Sequence, residues 1–226
     1  MNGLAWIREA GQPAQAWELV PSASGNFGVA PFRGPVQRFD AVDRGEGAKG
    51  RTWMAAALGA LELPVLKPSD SHAASDYVQL VEQARQACAD GVLEKVVLSR
   101  RKAYHRSRVQ PWEAFERLSD AYPHATVFLI HTPGGALWMG ATPECLTEVV
   151  GSTVRTMSLA GTRLSGSQGA WGLKEREEQH VVTKDIVQML QALGVEAVQV
   201  EGPTVLEAGP VEHLCSHIEG HSAGLS

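Results

Sequence analysis

Four places in this sequence set reactive or anion-binding groups where local rules would not put them. Lys95 stands inside the apolar run Val92 to Arg100, which reads as a strand. Alternation along a strand puts Lys95 on the face of Val97 and Ser99, opposite Val96 and Leu98. Such a lysine is either an edge-strand residue in water or a group aimed into a cavity. In a cavity, desolvation lowers a lysine pKa and makes a general base available. Glu144 ends the stretch Gly140-Ala-Thr-Pro-Glu144. There a glycine and a proline shape a turn that displays a carboxylate, and a solvated turn residue is the plainer alternative. Glu178 lies one helical turn before Val182, Ile186, Met189 and Leu193, which read as an inward stripe. An acid opening a buried stripe is costly unless paired. Compensation of the helix dipole accounts for Glu175 and Glu177 better than for Glu178, whereas a bound Mg²⁺ would account for Glu178. Finally, Ala160-Gly161-Thr162 follows a strand, where small residues either make a turn or let backbone N–H groups approach an anion.

The elements that must position these groups follow from periodicity. Tyr77, Leu80, Val81, Ala84, Ala87 and Cys88 recur at helical spacing from Ser75, and Gly91 stops the helix. Pro111 opens a second helix with Trp112, Phe115 and Leu118 on one side. Strands are expected at Thr126 to His131, Ala136 to Gly140, Cys145 to Val150 and Val154 to Leu159, with Gly134-Gly135 as a hairpin signal. A long helix is expected from about Lys174 to Leu193, then short strands at Val198 to Val200 and near Val205. Residues 1–70 are rich in Gly, Pro and Ala, with strand-like pieces such as Phe27 to Phe32, and Leu63 to Asp70 reads as a connector. Strands joined by short turns, mixed with helices, predict an α+β fold built on antiparallel sheet. No GxGxxG motif follows a strand and no Walker loop is present, so a nucleotide fold is not expected.

Composition narrows the class. The 226 residues carry a formal net charge of −5, 44% apolar and 20% charged residues. A nucleic-acid surface, usually basic, is not favoured. Cys88, Cys145 and Cys215 are odd in number, far apart and form no CxxC pair, which argues against disulfides and zinc and for a reducing cytoplasm. The first residues make no signal peptide, and no run is long and apolar enough to span a bilayer.

Taken in order, Lys95-Val-Val-Leu-Ser-Arg100, Gly140-Ala-Thr-Pro-Glu144, Leu159-Ala-Gly-Thr162, Glu177-Glu-Gln-His180 with Val182 and Ile186, and Val211-Glu-His-Leu214 resemble the chorismate-binding enzymes. That family includes isochorismate synthase, salicylate synthase, the anthranilate synthase large subunit and aminodeoxychorismate synthase. The match covers roughly residues 75–220 and is closest to the isochorismate synthase branch. Residues 1–70 look like the variable N-terminal strands of the same domain, with 71–226 as the front portion of the catalytic domain. The resemblance implies chorismate as substrate, Mg²⁺ as cofactor, and isochorismate as product in a menaquinone or siderophore pathway. It implies that Lys95 activates water, that Glu144 is the general acid, and that Glu178 binds Mg²⁺, with Glu177 as the alternative ligand. Gln179 stands where histidine is commoner in the family. Ala160, Gly161 and Thr162 resemble the segment lining the substrate carboxylate, and His213 the histidine beside the substrate. The amine-adding branches typically carry glutamine at the position of Lys95. Aminodeoxychorismate synthases carry a nucleophilic lysine at the position of Ala160, so both residues point to water as nucleophile.

Family members continue well past the last residue of this sequence. The expectation is therefore a front part that lacks a Pro-Thr-Pro-Ala segment, a Tyr-Ala-Gly segment, a carboxylate-gripping arginine and a second Mg²⁺ glutamate. Such a chain would be inactive alone and would tend to associate through its uncovered apolar faces.

Overall fold

The computed structural model describes residues 2–31, 33–61, 74–100 and 111–224. The chain divides into two compact units, one of Met1–Leu66 with Arg106–Pro143, the other of Lys67–His105 with Glu144–Ser226. Both are antiparallel sheets carrying helices, so the fold is α+β. The Leu63 to Asp70 connector lies outside the described residues.

In the first unit, β1 (Gly3–Arg8), β2 (Gln15–Pro21), β3 (Phe27–Val29), β4 (Gln37–Glu46), β5 (Thr126–His131) and β6 (Leu137–Thr142) form one sheet in the order β3-β4-β2-β1-β5-β6. Helices α1 (Gly47–Gly59) and α3 (Pro111–Ala121) complete it. Strict alternation buries Leu4 and Trp6 of β1 and Val127 and Leu129 of β5 against Met54 of α1 and Phe115 of α3. Trp6 is the anchor: its ring lies 5.5 Å from Trp112 and 6.3 Å from Phe115. Burying such a ring stabilises by roughly 3 kcal/mol at the upper end of area-based estimates. Gly50 of α1 lets the helix come close, since a Cβ there would stand 2.1 Å from the carbonyl oxygen of Gly45 and 2.6 Å from the Trp6 ring.

The second unit holds α2 (Ala74–Ala89), β7 (Glu148–Val150), β8 (Thr153–Leu164), α4 (Leu173–Ala192), β9 (Glu196–Ala208) and β10 (Val211–His221). Its sheet runs β7-β8-β10-β9, all pairs antiparallel. Helix α4 covers one face, where Val154, Ile218, Val195 and Leu190 form the core with Ile186, Val187 and Val198.

The structure corrects several sequence-based expectations. Val92 to Arg100 is not a strand: among the described residues no segment pairs with it, and a strand needs a neighbour to take up its N–H and C=O groups. Val97 is consequently 81% exposed. The strand from Val154 does not end at Leu159 but runs through to Leu164, with Gly161 as an extra residue between the pairs Ala160–Leu214 and Thr162–His213. Val198 to Val200 and Val205 belong to one continuous β9, held by β10 along its length. The stripe on α4 is rotated. Met189 and Leu193 are 55% and 78% exposed, and the inward residues are Gln179, Thr183, Ile186 and Leu190. Buried serine hydroxyls on the sheet select this face, because Gln179 and Thr183 can bond them and valine and methionine cannot.

No helix of the described residues is long and apolar enough to cross a membrane.

Candidate active site

Every residue singled out from the sequence lies in the second unit. They fall into two neighbourhoods, joined through Lys95.

The first lies on the face of the sheet opposite α4. On β10, alternation puts His213 and Cys215 on the side opposite Leu214 and Ser216, which face α4. The imidazole Nδ1 of His213 and the hydroxyl of its cross-strand partner Thr162 are 2.9 Å apart. Thr162 reaches that position because Gly161 bulges out of β8 with φ of +70°, a left-handed conformation that glycine adopts at no steric cost. A Cβ on Gly161 would meet the carbonyl oxygen of Glu175 at 3.1 Å, so the first turn of α4 presses on the bulge. Ala160 is buried beside it.

Glu144 belongs to the same neighbourhood. Partial desolvation holds its proton above the usual carboxylate range, against the opposing pull of His213 and then Lys95. The residue as a whole remains exposed. In the unfolded chain Glu144 ionises near 4.5, before it does when folded. Its contribution is therefore fully present below that value and lost as pH rises through the raised folded one. Glu144→Gln is expected to flatten this fall in denaturant midpoint between pH 4 and pH 8. Equal slopes for both proteins would refute the assignment.

The second neighbourhood lies beside α4. Lys95 Nζ is 3.6 Å from Glu178 Oε1, with side chains 22% and 30% exposed. Lys174 reaches the other oxygen of Glu178 at 3.0 Å. Lys95 and Glu178 line an open cleft of about 620 Å³, whose apolar wall comes from Tyr77, Val81, Val96 and Val181. Glu177 also lines it but is exposed. Glu144, Gly161, Thr162 and His213 are not among the cleft's lining residues.

Sequence reasoning missed three side chains. Lys174 shares Glu178, and the i, i+4 spacing was a readable signal. Cys215 is fully buried, and desolvation first and the Glu144 carboxylate second push its thiol pKa up. Its signal was strand alternation with His213. Gln179, buried on the sheet side of α4, carried a signal only in its phase with Thr183.

As a Mg²⁺ site the arrangement does not fit. Magnesium requires near-octahedral oxygen coordination and usually engages more than one carboxylate. Glu178 offers one, already held by two lysines, and no group of three or more His, Cys, Asp or Glu among the described residues is placed to hold a metal.

The family model for chorismate binding enzymes matches residues 55–225. The chain belongs to the chorismate-binding enzyme family. Isochorismate synthase MenF of Escherichia coli is 31% identical over 152 residues, which is 61% of this chain and 34% of MenF. The salicylate biosynthesis isochorismate synthase of Pseudomonas aeruginosa is 27% identical over 159 residues, 66% of this chain and 32% of that protein. Anthranilate synthase component 1 of Streptomyces coelicolor is 35% identical over 89 residues, 39% of this chain and 17% of that protein. The chain thus spans about a third or less of the length of these relatives. In fold it is similar to the solved structure of E. coli MenF, a menaquinone-specific isochorismate synthase, with a TM-score of 0.66 at 19% identity, covering 98% of this chain and 65% of that one. DhbC of Bacillus anthracis gives 0.64 at 15% identity, covering 97% and 68%.

Proposed function

We propose that this chorismate-binding chain is part of an isochorismate synthase, which adds water at C2 of chorismate and expels the C4 hydroxyl. One observation carries the proposal: an amine, Lys95, and a carboxyl whose proton is favoured, Glu144, are electrostatically coupled in one unit. Lys95 takes a proton from water as its oxygen bonds to C2. The ring double bonds shift, the C4–O bond breaks, and Glu144 protonates the departing hydroxyl, which leaves as water. One water enters and one leaves, so chorismate is isomerised. General acid and base steps of this kind contribute about 10²–10⁴-fold each. His213, Thr162, Gly161 and Ala160 are assigned to the substrate, with the bulge offering backbone N–H groups to a carboxylate. No step above runs through a metal, and Glu178, held by Lys95 and Lys174, is assigned as the carboxylate partner of Lys95. Residues 1–70 are taken as part of the same domain. A cytoplasmic location fits the three free thiols.

Anthranilate synthase is the second reading, favoured by the 35% identity to the S. coelicolor enzyme. Lys95 and Ala160 support water over ammonia. The test is product identity. A chain completed with the C-terminal remainder of MenF, given chorismate, Mg²⁺ and ammonium, is expected to form isochorismate, or salicylate if pyruvate is then eliminated. Anthranilate without a hydroxylated product would replace the proposal with the second reading.

A further inference from the structure

The amide of Gln179 makes an unusual set of contacts. The side chain is 2% exposed and lies on the sheet side of α4. Its Nε2 is 2.9 Å from the hydroxyl and 3.1 Å from the carbonyl oxygen of Ser158 on β8, 3.2 Å from the hydroxyl of Ser216 on β10, and 3.4 Å from that of Thr183 one turn along its own helix. Two N–H bonds serve these four acceptors, so the contacts are shared. The Ser158 and Thr183 hydroxyls are themselves 2.7 Å apart, and Thr183 donates to the Gln179 carbonyl at 3.0 Å. The side-chain oxygen Oε1 is buried with no hydrogen-bond partner among the described residues. The unbonded oxygen is a cost, set against the buried serine hydroxyls that Nε2 satisfies.

The network's effect is geometric. Consecutive residues on an α-helix project about 100° apart. Fastening residue 179 to two neighbouring strands therefore fixes the direction of residue 178. Below Thr183 the helix is held to the sheet by apolar contacts centred on Leu190, which fix distance well and rotation less. With Gln179 seated on the serines, Glu178 points to Lys95 at 3.6 Å while Glu177 stays exposed. If the helix turned to bury Val182, Met189 and Leu193, as its apolar pattern alone favours, Glu178 would turn with it, away from its present place.

We propose that Gln179 is a positioning residue: it sets the rotation of α4 so that Glu178, and not Glu177, meets Lys95. The importance of that pair for catalysis rests on the isochorismate synthase reading, but the positioning does not.

The pairing can be read without turnover. Purified 1–226 is acylated with N-hydroxysuccinimidyl acetate at pH 8, and modification of Lys95 is quantified by peptide mass spectrometry, with exposed Lys184 on the same helix as internal reference. A paired amine reacts more slowly than a free one. Glu178→Gln and Gln179→Leu are each expected to raise Lys95 acylation several-fold with Lys184 unchanged, and the double variant to match either single one. That non-additivity distinguishes positioning from simple loosening, which would raise both lysines and add. Wild-type acylation of Lys95 in a folded Gln179→Leu protein overturns the proposal, as does an additive double variant. If Gln179→Leu does not fold, Gln179→Met replaces it. If neither folds, the amide is a determinant of folding and the positioning claim fails. A wrong isochorismate reading would appear in the product assay and leave this labelling pattern intact.

Discussion

Replacing Lys95 by glutamine, in a chain completed with the C-terminal remainder of MenF, is expected to slow conversion of chorismate to isochorismate by at least ~10²-fold, the usual scale for a lost general base. Glutamine keeps a polar group one atom shorter than lysine but has no basic nitrogen, so the loss reads out proton transfer. The geometry motivates the size. Lys95 is mostly shielded, 3.6 Å from one carboxylate and within electrostatic range of a second, Glu144, whose proton is favoured. In the proposed reaction Lys95 would accept the proton and Glu144 would supply one, so removing the lysine's nitrogen tests that division of roles. Because Lys95→Gln also breaks the pair with Glu178, Glu178→Gln serves as the companion. If the two variants lose rate equally and keep the same pH profile, the pair matters only structurally. A loss smaller than about tenfold for Lys95→Gln would remove the lysine from the chemistry.

Residues 1–226 alone are expected to show no measurable turnover of chorismate and to bind it poorly. The cleft beside Lys95 is open, and among its described lining residues Glu94 and Glu177 are exposed while the half-buried Glu178 is already paired with Lys95 and Lys174. The described residues supply no further set of metal ligands. Electrostatic catalysis depends on preorganised donors in a site that excludes water, and removing one donor typically costs about 10²–10³-fold. Isochorismate formed by highly purified 1–226 and abolished by Glu144→Ala would show that these residues suffice.

Much of the local structure was legible in the sequence. Helices α2, α3 and α4 appear where apolar spacing and Pro111 put them, and β5 spans the six expected residues, with Gly134 at positive φ in the turn that follows. These signals act over a few residues, within reach of propensity and turn chemistry. The chemical candidates were legible for another reason. A lysine in an apolar run, an acid after a proline and an acid beside a helical stripe each conflict with their surroundings, and such conflicts mark functional places.

Element types, the α+β class and the ordered motifs of a chorismate-binding enzyme can thus be read from residue patterns alone. Tertiary structure decided the rest. It put β1 between β2 and β5, although β5 is remote in sequence, because strand pairing joins backbones that no local signal connects. Among the described residues it gave 92–100 no partner strand despite its β-rich composition, and a strand exists only beside another strand. It turned α4 away from its most apolar stripe. The hydroxyls of Ser158 and Ser216, brought together by β8 and β10, are buried where only a polar partner satisfies them, and Gln179 supplies it. The choice of Glu178 over Glu177 beside Lys95 follows from that rotation, and no pattern along the helix could have disclosed it, because the groups that impose it lie on other strands.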